Sequence, residues 1–261
     1  MKRVTIITGA SSGIGKEAAR LFAQRGDRII ITARRKERLE ELAQELSQEG
    51  ADVLALPADL ADTSQAETLV KTAVERFGRI DALINNAGFG KQERLEKMES
   101  RTIEEMVNLN VTSLILLSRA VLPYMKAQGS GAIVNVSSVF GVMAMPLYAV
   151  YVATKFAVVG FSKSLRMELK GSGITVSAVC PPTTRTEFFD VAGAAGEMRE
   201  TLLKYAIPAE KVAACIVKAS QKNKDLVFPS FMARLSAFLD KYFSCLTDFV
   251  KIKVRDRLLK E

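Results

Sequence analysis

The chain has 261 residues, 48% of them hydrophobic and 25% charged, with a formal net charge of +8 and no histidine. That length suits one large α/β domain and does not demand two. The missing histidine excludes Ser-His-Asp, Cys-His and His-metal chemistry, so proton transfer must fall to Tyr, Lys or carboxylates. Cys180, Cys215 and Cys245 share no ligand spacing and read as free thiols, not as disulfides or a metal site. The positive charge gathers at Arg34 to Arg38 and in the carboxyl-terminal tail, without a nucleic-acid motif, so nucleic acid is not an expected partner. No apolar run is read as long enough to span a membrane, and Met1-Lys2-Arg3 leads straight into a strand. A cytoplasmic protein is expected.

Val4 to Thr8 reads as a buried strand, followed by Gly9-Ala-Ser-Ser-Gly13-Ile-Gly15 and an amphipathic helix to about Arg25. Glycines between a strand and a helix let the backbone approach a pyrophosphate, which then rests on the free N–H groups of the helix start. The spacing is G-x-x-x-G-x-G, so the commoner G-x-G-x-x-G fingerprint is missed. Arg28 to Thr32 is the second strand, followed by Ala33-Arg34-Arg35. A site for NAD would place an acidic residue here, about 20 residues after the glycines, to hold the ribose 2′-OH. Two guanidiniums suit a 2′-phosphate instead, although a solvated helix start explains the same charges.

The alternation continues with a helix at 35–49, a strand at 53–56 followed by Asp59-Leu60, and a helix at 63–77. A strand from Ile80 ends in Asn85-Asn86-Ala87-Gly88, and one long helix at about 100–127 carries Asn110. The strand Ala132 to Val136 delivers Ser137 and Ser138 at its carboxyl end. A helix from Tyr151 to about Lys170, a strand at 174–180, a segment at 184–205, a helix at 208–221 and a strand at 226–228 follow. Strands separated by helices, with short links and no repeats, predict a parallel sheet covered on both faces.

Tyr151 and Lys155 are four apart on a helix and share a face. An ammonium beside a phenol favours the phenolate and draws its pKa toward the working range. One Tyr-x-x-x-Lys pair is a weak signal. Its order after Ser138 and after an amino-terminal glycine turn makes it a strong one.

Together, Thr8-Gly-Ala-Ser-Ser-Gly-Ile-Gly15, Asp59, Asn85-Asn-Ala-Gly88, Asn110, Ser138, Tyr151-x-x-x-Lys155 and Pro181…Thr186 resemble the short-chain dehydrogenase/reductase superfamily over about residues 2–230. The resemblance implies a single Rossmann-type, doubly wound domain with a seven-stranded parallel sheet. It implies an oxidoreductase using NADP(H), with Tyr151 as general acid or base and Lys155 holding the nicotinamide ribose while lowering the Tyr151 pKa. Ser138 would bond the substrate oxygen, and Asn110 would hold a water in a proton relay to Lys155. Cofactor contacts are expected from Gly9, Ser11, Ser12, Gly13, Ile14 and Gly15, from Arg34 and Arg35, and from Asp59 and Leu60. Further contacts are expected from Asn86, Ala87 and Gly88, from Pro181, Thr184 and Thr186, and from Tyr151 and Lys155 themselves. A homodimer or homotetramer joined through the helices at 100–127 and 151–170 is implied as well. A cofactor-binding regulator or scaffold without turnover is the alternative, as is a reductase of small carbonyl compounds.

Two departures stand out. Pro181-Pro182 replaces the family's usual Pro-Gly, and the chain continues well past the last strand. Domain bounds of 1–229 and 230–261 follow, the second an amphipathic helical extension. Its apolar stripe, interleaved with Arg234, Lys241, Lys251, Lys253, Arg255 and Arg257, suits either an anionic membrane surface or packing on the protein. The uncharged run Val139 to Leu147 is expected to line the substrate pocket and favour a lipophilic ketone or alcohol such as a keto-lipid or steroid. Phe188, Phe189 and Val191 are expected in a lid over it.

Overall fold

The computed structural model describes residues 2–188, 192 and 203–258. Its sheet has seven strands in the order β3-β2-β1-β4-β5-β6-β9, every pairing parallel. The strands are β1 (Val4–Thr8), β2 (Arg28–Thr32), β3 (Val53–Ala55), β4 (Ala82–Asn85), β5 (Gly131–Val136), β6 (Ile174–Val179) and β9 (Leu226–Val227). A small parallel pair joins β7 (Thr184–Arg185), at the start of the segment at 184–205, to β8 (Ile207–Pro208) just beyond it, neither of which was expected from sequence.

Successive strand residues point to opposite faces, and both faces are buried, which is why VTIIT and RIIIT are almost continuously apolar. Ile7, Ile29 and Ile31 pack against α1 (Gly13–Gln24), α2 (Lys36–Gln48) and α7 (Ala209–Ala219). Ile6, Ile30 and Leu83 pack on the other side against α3 (Gln65–Phe77), α5 (Ser113–Gln128) and α6 (Ala149–Glu168).

The expected helix at 100–127 is in three parts: α4 (Ser100–Val107), a π turn over Asn108–Thr112, and α5. A π turn adds a residue to the helical repeat and re-aims its side chains, here Asn110. This run, Ser100–Gln128, is long and apolar enough to cross a membrane by length and composition, contrary to the expectation from sequence. Its Met106, Leu117, Val121 and Met125 are instead buried within the domain.

The tail also differs from its expected form, being two helices instead of one. α8 (Phe231–Tyr242) ends at Phe243, and α9 (Ser244–Leu258) folds back on it. The cause is a polar staple. The Thr247 hydroxyl donates to Asp240 at 2.9 Å, and the buried Lys251 ammonium pairs with Asp240 and Asp248. Burial pulls the Lys251 pKa down, but the two carboxylates outweigh it and leave the pKa raised.

Candidate active site

The strand order reverses between β1 and β4, and ligands of open α/β sheets bind beyond the carboxyl ends of the strands at such a point. Here the two strand ends are tied together. The Thr8 hydroxyl accepts from the Asn86 and Ala87 amides, both at 2.9 Å, and the Asn86 amide nitrogen donates to the Thr8 carbonyl at 3.0 Å. Gly9 and Gly13 have φ of +67° and +52°, in the left-handed region. A Cβ on Gly9 would come 2.9 Å from the Ala87 Cα, and one on Gly15 only 2.2 Å from the Gly9 carbonyl oxygen. The turn is thus bare backbone facing a cleft of about 530 Å³, with α1 starting beneath it. A dinucleotide phosphate suits such a cradle.

Ser11, Ser12, Gly13, Ile14, Arg34, Arg35, Leu60, Asn86, Ala87, Gly88, Pro181, Thr184 and Thr186 all line this cleft with Gly9, as do Ser138, Tyr151 and Lys155. Three expected site residues stand behind the wall. Gly15 packs against Gly9, where only hydrogen fits. The Asp59 carboxylate turns back to accept from the Ala61 amide at 3.0 Å, leaving Ala58 and Leu60 to face the cleft. Asn110 is buried, and its amide nitrogen donates to the Phe89 carbonyl at 2.8 Å and the Thr154 hydroxyl at 3.1 Å. Its Oδ1 accepts from the Phe89 amide at 3.0 Å. Both amide donors are thereby committed, and the side chain serves to hold the loop after β4 beside α6. Pro182 is compatible with the loop, its carbonyl accepting from Thr184 Oγ1 at 2.8 Å.

At the inner end, Tyr151 and Lys155 emerge one turn apart on α6. Lys155 Nζ donates to the Val136 carbonyl at 3.0 Å and lies 5.6 Å from the centre of the Tyr151 ring. The Ser137 hydroxyl donates to the Lys155 carbonyl at 2.9 Å, fixing α6 against the end of β5. Ser138 lines the cleft beside Tyr151, and its hydroxyl accepts from the Phe140 amide at 3.1 Å. The Tyr151 phenol does not show the net lowering expected from its neighbour Lys155. Burial pushes Tyr151 well above its ordinary value, the Ser138 hydroxyl opposes this, and nearby Tyr148 adds to it. Burial also pushes Lys155 down to about 8, with Cys180 acting in the opposite sense. The phenol is therefore protonated at neutral pH, the form that donates a proton.

Phe140, Tyr148 and Phe188 ring Tyr151 at centroid distances of 6.3, 6.3 and 5.4 Å. Of the uncharged run, Val139, Phe140 and Met145 face the cleft, whereas Val142 packs toward Cys180. Of the three residues expected in a lid, Phe188 lines the cleft, and Phe189 and Val191 lie outside the described residues.

Sequence reasoning missed three residues. Gln92 accepts from the Tyr148 hydroxyl at 2.9 Å across the pocket, and Val254 of α9 lines the same cleft. Glu187 accepts from Arg35 and Arg38, each at 2.7 Å. These contacts bridge distant parts of the chain, and no local signal marks them.

A glycine cradle at a topological switch point, joined by one cleft to a buried Ser-Tyr-Lys cluster, defines a Rossmann-type oxidoreductase. The chain belongs to the short-chain dehydrogenase family, whose model matches residues 3–195, and it acts on CH–OH or C=O groups. It is 35% identical over 204 residues to a 3-oxoacyl-(acyl-carrier-protein) reductase of Staphylococcus aureus, covering 78% of this chain and 82% of that one. A short-chain dehydrogenase from Sphingobium yanoikuyae, solved in complex with NADPH, superposes with a TM-score of 0.81 at 34% identity, covering 94% of this chain and 96% of that one. A Burkholderia phymatum relative in complex with NAD gives a TM-score of 0.86 at 25% identity, covering 94% and 95%. Each of these two solved relatives thus holds a nicotinamide cofactor.

Proposed function

We propose that the chain is an NADP(H)-dependent reductase of an apolar ketone, with Tyr151 as the proton donor. The observation that carries this reading is the Tyr151 phenol. It shares the cleft with Ser138, is faced by the Lys155 ammonium and is set in an aromatic pocket that continues into the glycine cradle. A bound nicotinamide supplies the hydride. Gly9, Ser12 and Gly13 hold its pyrophosphate side, and Arg34 and Arg35 flank the position of the adenosine ribose. Ser138 orients the substrate oxygen toward the Tyr151 hydroxyl. Tyr151 delivers its proton to that oxygen, and Lys155 stabilises the phenolate that remains. Asn110 is a positioning residue, holding Phe89 and Gly88 against α6.

Walls from Phe89, Phe140, Met145, Tyr148, Phe188 and Val254 favour an apolar substrate, since each methylene withdrawn from water contributes about 0.8 kcal/mol. NADPH oxidation against matched panels of bulky apolar and small polar ketones tests the reading. Higher kcat/KM on the apolar panel supports it, and equal or lower kcat/KM counts against it. NADPH binding with no turnover on either panel would return the chain to the scaffold alternative.

The same reading extends to assembly. Exposed Val107, Phe156 and Met167 on α4 and α6 suit a subunit contact, which sedimentation tests. On the tail hairpin, exposed Phe231, Phe238, Phe249 and Val250 with Lys241 and Lys253 suit an anionic bilayer. Liposome flotation with and without residues 230–261 tests that.

A further inference from the structure

Arg35 is shared between two partners. Its Nη2 donates to Ser12 Oγ at 2.6 Å and its Nε to Ser11 Oγ at 3.3 Å, anchoring it over the glycine turn. Its Nη1 donates to Glu187 at 2.7 Å, and Arg38 Nη1 grips the same carboxylate at 2.7 and 3.0 Å. Glu187 belongs to the short segment after β7, which runs from Thr184 past Thr186 to Phe188. Thr186 crosses close over the turn, so close that a Cβ on Gly13 would meet its Cγ2 at 2.8 Å. Phe188 then reaches the Tyr151 ring. One carboxylate therefore ties the strap over the cleft to Arg35, one of the cations expected to choose the cofactor, and to its neighbour Arg38.

We infer that Glu187 is an internal stand-in for the cofactor's 2′-phosphate: it occupies Arg35 and Arg38, and a 2′-phosphate releases the strap by displacing it, whereas a 2′-hydroxyl does not. This rests on the NADP(H) reading of Arg34 and Arg35. The chemistry of the exchange is simple. A carboxylate carries one negative charge, while a phosphate monoester carries close to two and offers three acceptor oxygens to the same guanidiniums. Glu187, Arg35 and Arg38 are all solvent-accessible, so exchange needs no disruption of the core. The two guanidiniums hold the Glu187 carboxyl below its usual range, so the clasp is charged at neutral pH. Glu187 thereby becomes a specificity-determining residue, one that lowers NADPH affinity and couples cofactor type to the position of Phe188 at the substrate pocket.

The test uses 2′,5′-ADP and 5′-AMP as probes, differing only in the 2′-phosphate, with calorimetry on the full chain and on Glu187→Gln. Removing the competing carboxylate should tighten 2′,5′-ADP about tenfold, the worth of one charge-assisted hydrogen bond, and leave 5′-AMP unchanged. Hydrogen exchange separates the clasp from a simple change in local charge. In the unaltered chain, 2′,5′-ADP should speed amide exchange across residues 184–188, and 5′-AMP should not. Unchanged or weaker binding of 2′,5′-ADP by Glu187→Gln, or exchange slowed equally by both probes, overturns the proposal. Failure of the parent reading looks different: the unaltered chain and Arg35→Ala would then bind the two probes alike. If Arg35 discriminates but Glu187→Gln changes nothing, only the clasp is refuted.

Discussion

Lys155 and Tyr151 stand one turn apart on α6, and the ammonium nitrogen lies 5.6 Å from the centre of the phenol ring. Both are buried, and burial acts on them in opposite directions. The phenol is pushed up, and the ammonium is pushed down to about 8. The pair is thereby set with the acid form of Tyr151 populated and the charge on Lys155 only just retained.

The basic limb of the rate profile should therefore belong to Lys155. For ketone reduction, kcat/KM should fall as pH rises through about 8, because Lys155 loses its charge while Tyr151 stays protonated. A flat profile to pH 10 would remove Lys155 from the chemistry.

Stability should change in the other direction. The folded pKa of Lys155 is depressed from 10.5 to about 8, so the unfolded chain holds this proton more tightly. The cost of burying the ammonium is fully present below about pH 8 and disappears as pH rises through 10.5. The unfolding free energy of the unaltered chain, relative to Lys155→Met, should accordingly rise across that window by an amount on the order of 3 kcal/mol at full extent, with the melting temperature rising alongside. A difference independent of pH would contradict the assignment.

Cofactor choice should depend on Arg35 at least as strongly as on Arg34, because Ser11 and Ser12 already hold its guanidinium over the turn. Arg35→Ala should raise the KM for NADPH by about 10- to 100-fold and leave that for NADH almost unchanged. Equal use of both cofactors by the unaltered chain would sink this prediction.

Val254 makes the tail part of the cleft. Val254→Asp should lower kcat/KM on bulky apolar ketones by about tenfold, since a carboxylate replaces apolar wall, with a smaller effect on small ketones. Identical losses on both panels would show that α9 acts on folding and not on substrate.

What was legible in the sequence was local. Ile6 and Ile7, facing opposite sides of β1, carry the two buried faces in their succession, and the glycine turn and the Tyr151–Lys155 pair are each contained within one or two turns of chain. A parallel sheet covered on both faces followed from strands alternating with helices, whereas its strand order was not read. What stayed hidden depends on pairing across the fold. Arg35 meets Glu187 at a separation of 152 residues, and Tyr148 meets Gln92 at 56. The π turn at Asn110 leaves no mark in a helical pattern, and the hairpin in the tail depends on Asp240 meeting Lys251, which a stripe of apolar residues does not reveal. Spacing gave the charge beside Tyr151 but not the depth of its burial.

The most direct test of the account is single-turnover NADPH oxidation with a bulky apolar ketone, comparing the unaltered chain with Tyr151→Phe. That substitution removes one hydroxyl and keeps the ring against Phe140, Tyr148 and Phe188. The account predicts at least a ~100-fold loss of rate, the usual share of a general acid, while NADPH still binds. Turnover by Tyr151→Phe close to that of the unaltered chain would contradict it.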